Sequence, residues 1–187
     1  MSKEADLCSA ALVKLGAAPI ASLDDGTTES LIAARLYPIA RDALLSCHPW
    51  DFTIAEAQLA LDPSQSPENG YAFILPSDLL RTISAGAGSY GRGLVYRVLG
   101  NRLRAQSDTV TLTYQRRPDV AEYPAHFVSA LVARVAAELA LPITENASRA
   151  DILQKLATAE LRLARLVDSQ QSTPPAIDDF TLINVRS

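Results

Sequence analysis

The stretch DALLSCHPWDFTI, residues 42–54, marks where the chain changes from one kind of structure to another. Its first half has the apolar spacing of a helix, and Pro49 stops that helix because proline lacks a backbone N–H donor. The only tryptophan, Trp50, follows at once, and Trp50, Phe52 and Ile54 alternate with polar residues. Alternation favours a strand, although residues 55–61 taken alone could be helical. We therefore expect a helix-to-β corner in which Pro49, Trp50 and Phe52 are the packing residues.

Two helices are predicted ahead of this corner. Residues 3–15 have helical apolar spacing with acids in the first turn, and Gly16 ends the pattern. A second helix starts near Thr27 or Thr28 and runs to about Cys47. It contains Pro38, so this helix is either bent there or restarted with the proline in its first turn.

Beyond the corner, residues 71–117 carry β-forming runs separated by turns. The dipeptide Gly100-Asn101 is typical of a hairpin turn. Val110, Leu112 and Tyr114 recur with a period of two, which predicts one apolar strand face. These runs predict an antiparallel β subdomain.

Two further helices are predicted to follow. The first covers residues 124–140, is rich in alanine and is expected to end at Pro142. The second covers about residues 147–169 and has a line of apolar residues at 4-3-4-3 spacing, which predicts the packing seam of an antiparallel helix pair. The residues of this seam are Ile152, Leu156, Ala159, Leu163 and Leu166.

The predicted fold class is α+β, a helical body of about four helices with an inserted antiparallel β subdomain and an extended C-terminal tail. Residues 1–49 form the N-terminal helices of the body, and residues 50–117 form the β-rich subdomain. Residues 118–169 form the C-terminal helical pair that completes the body, and residues 170–187 form the tail.

Composition is that of an ordinary globular protein, with 187 residues, 48% hydrophobic and 20% charged. The N-terminus has acids where a signal peptide has bases, so synthesis and retention in a cytoplasm are expected. No apolar run approaches the roughly 20 residues needed to cross a bilayer, and no membrane association is expected. Cys8 and Cys47 are predicted to be buried free thiols.

Charge is distributed unevenly along the chain. Residues 1–80 carry 4 basic and 11 acidic residues (−7), residues 81–117 carry 7 arginines and 1 acid (+6), and residues 118–187 carry 6 basic and 9 acidic residues (−3), which sums to −4. The basic middle has two interpretations, a surface for nucleic-acid phosphates or an interface with an acidic protein surface. The candidate interface arginines are Arg97, Arg102, Arg104, Arg116 and Arg117.

Evidence for chemistry is weak. Cys47 and His48, with His126, are the only residues resembling a nucleophile and base, and adjacent residues at a helix end usually point apart. The acid pairs at residues 24–25 and 178–179 lack the further oxygen donors of a calcium site. Since the common nucleotide, zinc-protease and hydrolase motifs are also missing, we predict no enzyme, no cofactor and no metal.

Several segments, in order, are similar to one family. ALVKLGAAPIASLDDGTTESLIAARLYPIARDALLSCHPWDF, residues 11–52, resembles the start of the tail tubular protein A family, the head-to-tail adaptors of short-tailed bacteriophages. The shared features are the LG..PI.SLDD.T turn, the LY..ARDALL helix and the HPWDF corner. YAFILPSDLLR, residues 71–81, and TLTYQRRPDVAEYPAHFVSALVARVAAELALPIT, residues 111–144, resemble the family too. The resemblance covers about residues 5–166.

The resemblance implies a non-enzymatic structural subunit of the virion. It implies a dodecameric ring between the portal protein and a tail nozzle of the tail tubular protein B kind, with tail fibres as further possible partners. DNA would pass through the channel without specific binding during genome ejection. The alternative is a small nucleic-acid-binding module that uses the arginine-rich β segment.

The last ten residues, DDFTLINVRS, end the chain with apolar side chains after a proline-containing spacer. Such a segment suits addition as a strand to a partner, the portal or the next subunit. The other interpretations are that it folds back on its own body or stays disordered. The candidate contact residues are Phe180, Leu182, Ile183 and Val185.

Overall fold

The computed structural model describes residues 3–63, 70–88 and 91–171. The helices of this part are α1 (Lys3–Lys14), α2 (Thr28–Ser46), α3 (Ala125–Thr144) and α4 (Ala147–Asp168). Its strands are β1 (Ile54–Gln58), β2 (Tyr71–Ile74), β3 (Leu79–Gly86), β4 (Tyr96–Leu99), β5 (Arg102–Ala105) and β6 (Thr111–Arg116). Four helices and two small antiparallel sheets confirm the predicted α+β class.

The helical body is built around α3, which contacts each of the other three helices. Phe127, Leu131, Val135 and Leu139 lie on its inner side and are buried in the main hydrophobic core. Alanines fill the positions between them. Because alanine has no side chain beyond Cβ, neighbouring helices can approach α3 closely.

By length and composition, α3 could cross a membrane, with 20 residues and a mean hydropathy of 1.6. The expectation that no apolar run approaches this length was therefore wrong. Of the apolar window, 56% is buried inside the fold. The helix also carries Arg134 and Glu138, which form an ion pair at 2.6 Å between Nη2 and Oε1. Its apolar side chains form the core of the helical body.

Prolines interrupt the helices less than predicted. Pro142 does not end α3, which continues to Thr144 and stops at Glu145 in the left-handed conformation, with φ 51°. Pro38 lies inside α2, a single helix from Thr28 to Ser46. Each proline removes one backbone donor only, and the hydrogen bonds on either side keep the helix intact.

The β part consists of two three-stranded antiparallel sheets with orders β1-β6-β3 and β2-β5-β4. Val110, Leu112 and Tyr114 are buried in the hydrophobic core of the β part, as their alternation predicted. Gly100 and Asn101 connect β4 to β5, and Gly100 has φ 60°. A glycine with positive φ at the first position of a two-residue turn is typical of a type II′ hairpin.

The predicted strand from Trp50 onward is wrong in its first residues. Asp51–Thr53 forms a 3-10 turn, and β1 begins only at Ile54. The carbonyl of Trp50 accepts hydrogen bonds from both the backbone N–H of Thr53 (2.9 Å) and its hydroxyl Oγ1 (2.7 Å). These local bonds compete with strand pairing and hold the turn.

The predicted seam of α4 is also wrong, because α4 packs against α3 with a different face. Leu153, Ala157 and Ala164 are buried, and small residues there fit the alanine-rich surface of α3. The larger side chains point outward, with exposed fractions of 65% for Ile152, 40% for Leu156, 56% for Leu163 and 56% for Leu166. Together with Ala159 we call these four residues the outer stripe.

The two cysteines differ in their exposure to solvent. Cys8 is buried as predicted, and burial raises the pKa of its thiol to about 12. Cys47 was also predicted to be buried, but it is exposed because it follows the last residue of α2.

Candidate functional site

The corner after α2 is held by hydrogen bonds from distant parts of the chain. The last carbonyls of a helix have no partners within the helix. Here Gln115 of β6 donates from Nε2 to the carbonyl oxygens of Leu45 (2.6 Å) and His48 (2.8 Å). Arg165 of α4 donates from Nη2 to the carbonyl of Cys47 at 3.1 Å. The end of α2 is thus bound to both the β sheet and α4.

Asp168, the last residue of α4, is buried beneath this corner with 2% of its surface exposed. Its Oδ2 lies 3.1 Å from Nε2 of His48, and its Oδ1 lies 3.5 Å from Nε2 of His126. Both carboxylate oxygens also accept from the backbone N–H of Asp51 at 3.3 Å. A buried carboxylate requires such partners, because an isolated charge is costly away from water. Both histidines of the chain therefore face one carboxylate.

Trp50 fills the space between these groups. It is fully buried, and its indole Nε1–H donates to the carbonyl of Leu44 at 3.0 Å. Its ring makes edge contacts with His48 and with Phe127 of α3, at centroid distances of 4.8 Å and 5.1 Å. Phe52 packs on Phe127 at 5.0 Å. We call the residues His48, Trp50, Gln115, His126 and Asp168 the corner cluster.

Pro49 is exposed and contributes by ending α2 rather than by packing. The corner cluster therefore joins the end of α2, strand β6, the first turn of α3 and the last turn of α4. It fixes the direction in which the β part leaves the helical body.

The geometry gives little support to nucleophilic chemistry at Cys47. Its Sγ donates to the carbonyl of Leu44 at 3.1 Å, while His48 and His126 face Asp168. An activated nucleophile needs a base within hydrogen-bond reach. Within residues 3–63, 70–88 and 91–171, no three His, Cys, Asp or Glu side chains are arranged to hold a metal ion.

Sequence reasoning missed Gln115, Arg165 and Asp168. Asp168 had a signal, because an acid in the last turn of a helix opposes the helix dipole and needs a compensating partner. Gln115 had none, since it lies on the polar side of an alternating strand, where a solvent-exposed residue is expected. Only the packing of β6 against the end of α2 buries it.

The five candidate arginines form two groups. Arg97 and Arg104 lie opposite each other in the β4–β5 register, and Arg102 shares their face of the sheet. Arg102 is paired with the buried Asp62. Arg116 and Arg117 lie at the end of β6 and directly after it, a separate place on the surface.

Arg116 and Arg117, the second group, form ion pairs with acidic residues of the same chain. Arg117 Nη2 lies 2.8 Å from Oδ2 of Asp42, and Arg116 donates to both carboxylate oxygens of Glu122. These bonds, and a further one from the backbone N–H of Asp119, lower the pKa of Glu122 to about 2. The predicted contact residues Phe180, Leu182, Ile183 and Val185 fall outside the described residues.

The outer stripe of α4 is an extended exposed apolar feature of the helical body. It extends over residues 152–166, about 20 Å of helix at 1.5 Å per residue. No other described segment covers it. Single exposed apolar residues are ordinary, whereas a continuous line of them is typical of a contact surface.

In comparisons with known proteins, no family model matches the chain and no curated protein is significantly similar to it. The corner cluster, the outer stripe and the arginine-bearing sheet face are thus the features on which a functional interpretation depends.

Proposed function

We propose that this chain is a structural head-to-tail adaptor subunit of a short-tailed bacteriophage. Copies of it would form a ring, dodecameric by the resemblance, between the portal and the tail nozzle, and would line the channel through which DNA passes. The family assignment comes from the sequence resemblance. The outer stripe is the observation in the fold that carries the proposal.

The outer stripe supports assembly because α4 has two apolar faces. Leu153, Ala157 and Ala164 pack inside the subunit, and the five residues of the outer stripe point away from it. A helix that needs only to cover its own core has one apolar face and one polar face. A second apolar face is explained if another subunit covers it.

A ring requires a second, different face, since its contacts are head-to-tail. Helix α2 offers one, because Leu31 and Ile39 are two turns apart and exposed by 55% and 67%. We propose that the outer stripe of one copy packs against this part of α2 in the next copy.

The corner cluster supports the same function in another way. A ring between two partners must present the same loops of every copy to the portal and to the nozzle. The hydrogen bond that Gln115 donates to the carbonyl of Leu45, and the one that Asp168 accepts from the backbone N–H of Asp51, hold the β part at one angle to the helical body. A uniform angle in every copy is what such a ring requires.

The alternative, a nucleic-acid-binding module, is favoured by one observation, that Arg97, Arg102 and Arg104 share one sheet face. Against it, Arg102, Arg116 and Arg117 are each paired with an acid of the chain. A binding constant for DNA that falls steeply with salt would favour the alternative. Weak DNA binding together with ring formation would favour the adaptor.

The test is assembly of the purified full chain with the portal of its phage, observed by negative-stain electron microscopy and mass photometry. We expect rings on the portal with the wild-type chain. The double variant Leu156→Glu/Leu163→Glu should stay folded but fail to form rings, because each glutamate places a charge in the apolar contact.

The control is Gln154→Glu, which adds one negative charge, half of that in the double variant, on an exposed position of α4 outside the outer stripe. It should assemble like the wild type, and circular dichroism should confirm that all variants fold. Rings formed equally well by the double variant would contradict the role of the outer stripe. A wild-type chain that stays monomeric with every virion protein would contradict the adaptor function itself.

A further inference from the structure

Strand β4 is an open edge. In the sheet order β2-β5-β4 it pairs with β5 on one side, and no described strand pairs with its other side. In an antiparallel pair, every second residue of an edge strand directs its N–H and C=O away from the sheet. Such an edge can pair with another extended segment.

The other three edges of the two sheets are less suited to an added acidic segment. Strand β3 has irregular register at two places along its pairing with β6, and bulges of this kind discourage further pairing. Strand β1 carries the acid Glu56. The outer side of β2 is covered, since Asp62 N–H donates to Ala72 O at 2.8 Å and Ile74 N–H donates to Ala60 O at 3.0 Å. Strand β4 has a regular register and no acid.

The surface beside β4 combines apolar and cationic groups. Val95 and Leu99 are exposed by 89% and 50%, and with Arg97 and Arg104 they line a depression of about 520 Å³. Residues 91–107 contain four arginines and no acid. This chemistry fits an extended segment with apolar side chains and at least one carboxylate.

The end of this chain has that composition. Asp178 and Asp179 precede the run FTLINV, residues 180–185, in which four of six residues are apolar and most have high β propensity. We propose that the open edge of β4 receives residues 178–185 of a second copy of this chain as an added strand. The opposite charges of the two aspartates and of Arg97 supply the complementarity.

That the added strand comes from a second copy rests on the proposed ring, in which each copy has a neighbour. The spacer between α4 and the aspartates includes residues 172–177, which reach at most about 20 Å when extended. Backbone pairing would give most of the affinity, and the aspartates would select β4 over the edge that carries Glu56. The ring would then be joined by both the outer stripe and exchanged strands.

The experiment measures amide hydrogen exchange at Tyr96–Leu99 in the full chain, under conditions in which it assembles. We expect the outward amides of β4 to exchange at least about tenfold more slowly than in the variant Phe180→Ser/Leu182→Ser, because an added strand gives them hydrogen bonds. This protection should appear as protein concentration rises. The outward amides of β1 are the internal control and should exchange alike in both proteins.

Charge reversal tests whether the two aspartates direct the added strand to β4. Arg97→Glu should remove the protection, and combining it with Asp178→Lys/Asp179→Lys should restore it. Equal exchange at β4 in the wild type and in the serine variant would overturn the proposal, and so would protection that is independent of concentration, since that pairing is within one copy. Rings that still form on the portal without protection at β4 would overturn this inference alone and leave the adaptor function standing.

Discussion

The corner cluster and the outer stripe both include residues of α4, yet they differ in burial and in their polar contacts. In the corner cluster, Trp50 is buried against Phe127 of α3, and the carbonyls at the end of α2 have partners from β6 and α4. In the outer stripe, Ile152 and Leu163 are exposed by more than half. Helix α4 thus uses its inner face and its last turn to hold the subunit together, and its outer face is available to another molecule.

The largest expected effect comes from breaking the corner. Trp50→Ala should lower the free energy of unfolding by about 3–5 kcal/mol, since it leaves a cavity against Phe127 and removes the donor to Leu44. Urea denaturation followed by circular dichroism measures this. Trp50→Phe, which keeps most of the volume, should cost clearly less. An unchanged unfolding midpoint for Trp50→Ala would contradict the structural role of the corner.

Two leucines of α4 allow its inner face and its outer face to be compared directly. Leu153→Ala removes a side chain that is 8% exposed and should cost about 2–4 kcal/mol of stability. Leu156→Ala makes the same chemical change at 40% exposure and should change stability by less than about 0.5 kcal/mol. Because both positions lie inside α4, changes in helix propensity cancel between them.

For ring assembly we expect the opposite order of effects, with Leu156→Ala more damaging than Leu153→Ala. Leu156→Ala should weaken ring formation on the portal, measured as the protein concentration needed for half-maximal assembly, although its unfolding midpoint is unchanged. If instead the two variants lose equal stability, the outer stripe is covered within the subunit and the difference between the two faces of α4 disappears.

The smallest expected effect is at the surface, between Arg116 and Glu122. The folded state lowers the pKa of Glu122 from 4.5 to about 2, so it binds fewer protons than the unfolded state between these values. The stabilisation is therefore complete above about pH 4.5 and is lost as the pH falls through about 2. Glu122 is exposed, and solvent screening keeps the gain small.

The substitution Glu122→Gln should lower the melting temperature slightly at pH 6 and leave it unchanged near pH 2. High salt should shrink the difference at pH 6 because it screens surface charges. Thermal melting at several pH values measures both trends. A difference that persists at pH 2 would show that the charge of Glu122 is not its cause.

Most of the helices and strands followed from local patterns. The stripe of α3 and the alternation of Val110, Leu112 and Tyr114 each match the period of one element, and each is buried as expected. The errors arose where an apolar pattern had more than one possible neighbour. The outer stripe has ideal spacing for a helix pair, but α3 is lined with alanines and accepts Ala157 and Ala164 instead.

The candidate site was predicted in part. Trp50 and Phe52 stood out by residue type and by their position after Pro49, and the structure places both against α3. Gln115 and Asp168 did not stand out, because their partners lie 70 and 117 residues away in sequence. A polar residue becomes part of a buried network only when distant elements meet.

The sequence by itself determined the order of elements, the α+β class and the place where helix changes to β, since apolar period, proline and turn residues act over a few positions. The tertiary structure decided which side of α4 is inside, that two histidines share Asp168, and which sheet edge is left open. These depend on the shapes of surfaces brought together from distant parts of the chain, and no local pattern encodes that fit.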